Sequence, residues 1–232
     1  MADTDALWCV VPAAGRGTRV GGEVPKQYLP IAGRPLLLQT LDRLAACARI
    51  GGLVVVLSEN DTRWPGLSLL NGKPVVTTTG GAERAESVMN GLRALEGKIG
   101  GRDFVLVHDA ARPCVRSDDI ARLIECATAA DGGLLAAPLR DTLKRADENA
   151  RSLGTEPRES RWRALTPQMF RYGELVAALS SAHAAGIVVT DEAMAMERAG
   201  RKPLLVEGAE SNIKVTTPDD FVLAEFLLAR GG

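Results

Sequence analysis

The chain has little of the chemistry that most often announces a site. Its 232 residues include two histidines and four cysteines, and Cys9, Cys47, Cys114 and Cys126 form no CxxC pair. Ligands so sparse and scattered do not make a zinc centre. Nor do they make a disulfide framework, and they predict reduced cysteines in a cytoplasmic protein. Basic residues are not in excess: the formal net charge is -1. That excludes a sequence-independent grip on nucleic acid, which needs a basic surface to displace counterions. No apolar run approaches the ~20 residues of a membrane span. The opening "MADTDALW" has neither a basic nor an apolar leader region, so no secretory signal is expected. The string GxxxxGK[ST] is absent, which removes a P-loop.

What remains is an ordinary globular composition, 46% hydrophobic and 25% charged, enough to bury a substantial core. The length suits one domain over 1–232. Short apolar runs at 7–12, 53–58, 74–79, 104–109, 133–138 and 203–208 read as strands. They lack polar alternation, as strands covered on both faces should. Amphipathic segments at 35–48, 84–96 and 117–130 read as helices, the last with Ser117 as its N-cap. Further helices are expected near 172–185 and 190–199, and a final one opens at Pro218 and Asp219. Strands alternating with helices predict an α/β, doubly wound, mostly parallel sheet of Rossmann-like type. The rhythm breaks at about 139–168, a charged stretch in which "DTLKRA" and "RWRALT" could form a protruding two-stranded arm. Such an arm cannot bury a face alone and would pack on something else, often a second subunit; a mobile surface loop is the other reading of this composition.

Three segments carry chemistry. "VVPAAGRGTRVGGEVPKQYLP" (10–30) follows the first strand with glycines and three cations, Arg16, Arg19 and Lys26. A dinucleotide fingerprint fits Gly15 and Gly17 but finds Val20 in the third place. A nucleotidyltransferase loop fits better. Ala13, Ala14 and Gly15 let backbone N–H groups approach a triphosphate, and Arg19 and Lys26 bring charge to the reacting phosphorus. "VHDAARP" places Asp109, followed by Ala110 and Arg112, at the C-terminal end of a strand, where α/β ligands sit. A lone carboxylate there suits Mg²⁺, which takes few protein oxygens and completes its shell with phosphate and water. His108, on the opposite face of that strand, reads as structural. "TTGGAERAES" is a second glycine loop running into a helix N-terminus.

The segments "VVPAAGRGTR…PKQYLP", "GGAERAESV", "VHDAARP", "AAPLRDTLKR", "ALTPQMF", "TDEAMAME" and "NIKVTTPDD" occur in the order of a known family. The chain resembles the cytidylyltransferases of the non-mevalonate isoprenoid pathway from about Val10 to Phe226. Those enzymes make 4-diphosphocytidyl-2-C-methyl-D-erythritol from CTP and 2-C-methyl-D-erythritol 4-phosphate. The resemblance implies a nucleotide-diphospho-sugar transferase fold. Ala13, Ala14, Gly15, Gly81, Ala82, Ser87, Asp109 and Ala110 would bind the nucleotide, with Mg²⁺ at Asp109. Arg19, Lys26 and Lys214 would be catalytic, with Arg112 in support. The polyol phosphate would meet Thr166, Thr190 and Lys214 from one subunit. Thr142 and Arg158 would reach it from the exchanged arm of a homodimer, with Arg161 and Arg163 close by. Many family members carry an acid where this chain has Ala82. Two other readings stay open: a relative acting on another polyol phosphate such as ribitol 5-phosphate, and a CTP-binding protein without turnover.

Overall fold

The computed structural model describes residues 7–15 and 24–230. Its centre is an eight-stranded sheet. In chain order the strands are β1 (Leu7–Pro12), β4 (Ile50–Leu57), β5 (Leu69–Leu70), β6 (Lys73–Thr79), β7 (Phe104–Val107), β8 (Gly133–Pro138), β11 (Trp162–Arg171) and β12 (Leu204–Glu207). Two small ribbons stand apart from it: β2 (Pro30–Ile31) with β3 (Arg34–Pro35), and β9 (Leu143–Ala146) with β10 (Ser152–Glu156). The helices are α1 (Leu36–Ala46), α2 (Arg84–Arg93), α3 (Ser117–Ala129), α4 (Tyr172–Ala184), α5 (Glu192–Arg198) and α6 (Pro218–Ala229).

Spatial order across the sheet is β12-β8-β11-β7-β1-β4-β6-β5. Pairs β7–β1, β1–β4, β4–β6 and β12–β8 are parallel. Strand β11 runs antiparallel between β8 and β7, and β5 antiparallel along β6. The mostly parallel, doubly wound sheet expected from the sequence is present.

Both faces of the sheet are covered, which is why its strands look continuously apolar. Successive side chains alternate across a strand. Cys9 and Val11 of β1, with Leu53 and Val55 of β4, pack among Leu37, Leu41 and Leu44 of α1 and Leu123 of α3. Val10, Val54 and Val56 face the other way, toward Val88 and Leu92 of α2 and Leu175 and Leu179 of α4. Burying each such Val or Leu contributes about 1.5–3 kcal/mol. Helix α2 lies against β1 so closely that a Cβ on Gly91 would stand 2.4 Å from Val10 Cγ1.

Two expectations about local structure change. Ser117 is the first helical residue of α3, and Arg116 is the N-cap, without a side-chain cap bond. Asp118 and Asp119 in the first turn complement the helix dipole instead. In the arm, "RWRALT" is not the second strand. β9 pairs antiparallel with β10, with Lys144 opposite Thr155, whereas Trp162–Arg171 belongs to the central sheet. The apolar end of "RWRALTPQMF" explains the choice. Leu165, Met169 and Phe170 are buried, while every β10 residue except the half-buried Glu156 is exposed. A strand with that much apolar surface gains more from the sheet than from a solvated ribbon.

Among the described residues no helix is long and apolar enough to cross a membrane.

Candidate active site

Strands β1, β6 and β7 are parallel neighbours or next neighbours, so their C-terminal ends open on one edge of the sheet. The segments after them bring Ala13, Ala14 and Gly15, then Gly81, Ala82 and, from the first turns of α2, Ser87, then Asp109 and Ala110 around a cavity of about 340 Å³. Lys26, Arg84 and Lys214 bring positive charge to the lining. Ligands of open α/β sheets bind at such an edge.

Close approach explains the small residues. A Cβ on Gly80 would lie 2.4 Å from the Ala14 Cβ and 2.8 Å from Ser87 Oγ. The glycine therefore lets the first and second loops touch. Ser87 Oγ accepts the Gly81 N–H at 3.1 Å, and Glu86 accepts the Ala82 N–H at 2.8 Å. Glu83 and Glu86 form a capping box that starts α2. The carboxylate of Glu86 thus serves the backbone N–H of Ala82.

Lys26 opens a single 3-10 turn, Lys26–Tyr28, which is fixed from three sides. Lys26 Nζ donates to the Val215 carbonyl at 2.6 Å, and Gln27 Nε2 to the Ala13 carbonyl at 2.7 Å. The Tyr28 hydroxyl donates to Asp61 at 2.8 Å. Burial and that carboxylate hold the phenol above its ordinary pKa. Val215 N–H in turn donates to the Ala111 carbonyl. The catalytic lysine expected from the opening loop is therefore tied to the segments carrying Asp109 and Lys214. Arg19, the other cation expected from that loop, lies outside the described residues, as does Arg16.

Asp109 is the electrostatic centre. Its carboxylate lies 3.0 Å from Lys214, 3.2 Å from Arg84 and 3.4 Å from Arg112. Burial pushes its pKa up, but Arg84, Lys214 and Arg112 more than reverse that and hold the carboxyl well below its ordinary value. Arg84 makes a second, bidentate bridge to Glu192 of α5, at 2.7 and 3.1 Å. Glu192 is 1% exposed.

A second cavity of about 170 Å³ adjoins the first. Arg84, Asp109 and Lys214 line both, so the two spaces meet at one charged wall. Thr166 and Thr190, expected as ligands for the second substrate, line this smaller space together with Arg112. Its walls are braced by hydrogen bonds. Arg112 donates to the Asn212 carbonyl at 2.7 Å, and Asn212 Nδ2 to the Thr166 carbonyl at 2.7 Å. Gln168 donates to Asp191, which caps α5 by accepting from Met194 N–H, both at 2.9 Å.

The arm residues are not brought in. Thr142 is exposed and Arg158 donates to the Arg140 carbonyl, and neither lines either cavity of its own chain. Arg161 pairs with Glu156 at 3.8 Å within the arm, and Arg163 with Glu210 at 3.4 Å at its root.

Sequence reasoning did not single out Arg84, Gln27, Glu192, Gln168 or Asn212. Each sits inside one of the quoted segments, but each works through a partner between 14 and 108 positions away. Only the folded chain pairs them.

The metal expectation can be weighed on the donor set. No cluster of three or more His, Cys, Asp or Glu side chains that could hold a metal occurs among the described residues. Asp109 and Glu83 are the carboxylates lining the larger cavity. One or two carboxylates suit a hard cation that arrives with phosphates, and Asp109 is held ionised by Arg84, Lys214 and Arg112.

With this geometry in view, the comparisons with known proteins are direct. The 2-C-methyl-D-erythritol 4-phosphate cytidylyltransferase (IspD) family profile matches residues 7–230. A curated relative of that name from Xylella fastidiosa is 57% identical over 225 residues, 97% of each chain. Among solved structures, a 4-diphosphocytidyl-2C-methyl-D-erythritol synthase superposes with a TM-score of 0.84 at 38% identity, covering 96% of this chain and 98% of that one. The Francisella tularensis 2-C-methyl-D-erythritol 4-phosphate cytidylyltransferase follows at 0.82 and 33%, covering 96% and 99%. The chain belongs to the 2-C-methyl-D-erythritol 4-phosphate cytidylyltransferase family.

Proposed function

We propose that the protein transfers CMP from CTP to 2-C-methyl-D-erythritol 4-phosphate, with CTP in the larger cavity and the polyol phosphate in the smaller. The observation that carries this reading is the shared wall of Arg84, Asp109 and Lys214. Two anionic substrates on either side of it would meet at the CTP α-phosphorus.

The chemistry needs no nucleophilic side chain, because a phosphate monoester is itself an oxygen nucleophile near neutral pH. Its oxygen forms a bond to the α-phosphorus as the bond to the β-phosphate bridging oxygen breaks, and pyrophosphate leaves. The chain's task is alignment and charge neutralisation. Lys26 and Lys214 supply ammonium groups, and Arg19 would add a guanidinium. Ala13, Ala14, Gly15, Gly81, Ala82, Ser87 and Ala110 bind cytosine, ribose and triphosphate at close range. Asp109, with Glu83 on the same cavity, would hold Mg²⁺, which would neutralise charge on the phosphates. Thr166, Thr190 and Lys214 receive the polyol phosphate, with Arg112 bracing that side.

A homodimer is part of this reading. The β9–β10 ribbon is two strands with no third, and Leu153 at its surface is 58% exposed. Such a ribbon is marginal alone. Packed on a second subunit, it would carry Thr142 and Arg158 to the partner's smaller cavity. Four free cysteines support a reducing, cytoplasmic setting.

Pyrophosphate release from CTP tests the assignment. Methylerythritol phosphate with Mg²⁺ should support turnover far above ribitol 5-phosphate, and chelation should abolish it. Preference for ribitol 5-phosphate would transfer the function to that substrate, and no release with either would leave a binding protein. Sedimentation showing only monomer at micromolar concentration would remove the arm's role.

A further inference from the structure

His108 precedes the central carboxylate and is fully buried, at 0% exposure. Its ring touches two polar groups. Nε2 lies 3.1 Å from the Arg112 carbonyl oxygen, and Nδ1 lies 3.0 Å from Thr166 Oγ1. A carbonyl oxygen only accepts, so Nε2 carries the proton. The ring is neutral: it is wholly buried against a carbonyl and a hydroxyl, and none of the described carboxylates is hydrogen-bonded to it to stabilise a positive charge. A neutral imidazole protonated at Nε2 presents a lone pair at Nδ1. The Thr166 hydroxyl must therefore donate its one proton to His108.

The same hydroxyl oxygen already accepts the Asp109 N–H at 3.1 Å. A hydroxyl has one proton and two lone pairs. With the proton committed inward and one lone pair taken, a single acceptor position remains. Thr166 lines the smaller cavity, so that lone pair is what the hydroxyl has left to offer a ligand there. Thr190, on the same cavity, differs: its hydroxyl donates only to the sulfur of Met194 at 3.6 Å, a weak acceptor easily exchanged for phosphate.

We infer that His108 is a positioning residue that makes Thr166 a one-way acceptor, so that Thr166 recognises a hydroxyl of the polyol rather than its phosphate. This rests on the smaller cavity being the polyol phosphate site. A phosphate oxygen has no proton to give and would face the Thr166 lone pair unfavourably, whereas a carbinol O–H satisfies it. The phosphate is left to the donors, Lys214 and Thr190. Discrimination then follows from hydrogen-bond direction, because a substrate lacking the matching hydroxyl leaves a buried acceptor unpaired.

Two substitutions separate this role from simple packing. In His108→Asn the amide overlays the Nδ1 position, and its oxygen can still accept the Thr166 proton. In His108→Gln the amide overlays Nε2 and keeps the donor to the Arg112 carbonyl, but nothing accepts from Thr166. The purified enzyme should show KM for methylerythritol phosphate about tenfold higher in His108→Gln. KM for CTP should stay within about twofold, and His108→Asn should rescue most of the loss. In a Thr166→Val background the Gln substitution should add nothing further. Wild-type enzyme should also lose about tenfold or more in kcat/KM on one of the analogues lacking the C1, C2 or C3 hydroxyl. That penalty should vanish in Thr166→Val.

A Gln variant equal to or better than Asn would overturn the inference, as would a Gln defect that persists in Thr166→Val. If His108→Gln does not fold, as thermal melting would reveal, the analogues decide: equal use of all three by wild type also overturns it. Wild type that turns over no methylerythritol phosphate would instead sink the reading of the cavity, and this inference with it.

Discussion

The two cavities that meet at Asp109 are built in opposite ways. The larger is walled chiefly by loops that follow β1, β6 and β7, and its residues are mostly small. Its shape comes from backbone, and contiguous runs of sequence supply it. The smaller is walled by side chains from β11, the α5 cap and the segment before α6, held by a lattice of buried polar bonds. A backbone-lined pocket tolerates many side chains provided they are small. A side-chain-lined pocket depends on every partner, since a buried polar group left alone costs about 1–3 kcal/mol.

The largest expected break in this contrast comes from Lys26, which lines the backbone-built side and is proposed to serve the reaction. Lys26→Ala should lose about 10²–10³ in kcat, the effect of removing one charge aimed at a transition state. Circular dichroism should show a folded protein. Near-normal turnover in pyrophosphate release would separate Lys26 from the chemistry.

Glu192 probes the other construction. It touches no substrate space directly but anchors Arg84 at 2.7 Å from complete burial. Glu192→Gln keeps one acceptor for Arg84 but leaves Asp109 as its charged partner. Breaking a buried pair by removing one partner costs about 3–5 kcal/mol, so a lowered urea midpoint is expected, with weakened use of both substrates. A variant as stable as wild type would show Arg84 finding a new partner.

The His108 environment predicts a pH effect on the same side. Its folded pKa of about 4 lies below the ordinary 6.5. Below pH 6.5 the unfolded chain binds a proton that the folded chain refuses. Stability should therefore fall as pH drops from 6.5 toward 4, by about 1.4 kcal/mol per pH unit. Urea denaturation of wild type and His108→Asn between pH 7 and 5 measures it, and the variant should lack that slope.

The smallest effect is expected where backbone does the shaping. Ser87→Ala removes the acceptor for the Gly81 N–H. It should raise KM for CTP by about fivefold to tenfold, about 1 kcal/mol, and leave KM for the polyol phosphate unchanged. An equal change in both would mean that the cavities are less independent than their construction suggests.

The same division governs what could be read from sequence. Apolar strands covered on both faces, and the glycine loops between strand and helix, are local features. The sheet, the first cavity, Lys26 and Asp109 were accordingly legible without coordinates. So was the start of α6 at Pro218 and Asp219, to which the structure adds the Thr217 cap and the capping box closed by Asp220. The second half was legible only through resemblance. Thr166 and Thr190 carry no local signal of their own, and His108 read as structural from its place on the opposite strand face, while its partner Thr166 lies 58 positions away. The arm's pairing was misjudged for a related reason: "DTLKRA" has two possible antiparallel partners, and charge content does not choose between them. Burial of Leu165, Met169 and Phe170 in the sheet chose.

Sequence by itself determined the α/β class, the edge of the sheet where phosphates would sit and the cations to meet them. These depend on periodicity and on residue types next to one another. Tertiary structure alone decided how Arg84, Glu192, His108, Thr166 and Asn212 share protons and charge. Hydrogen bonds and ion pairs act over about 3 Å and are blind to distance along the chain. Which donor meets which acceptor is settled only when the strands come together.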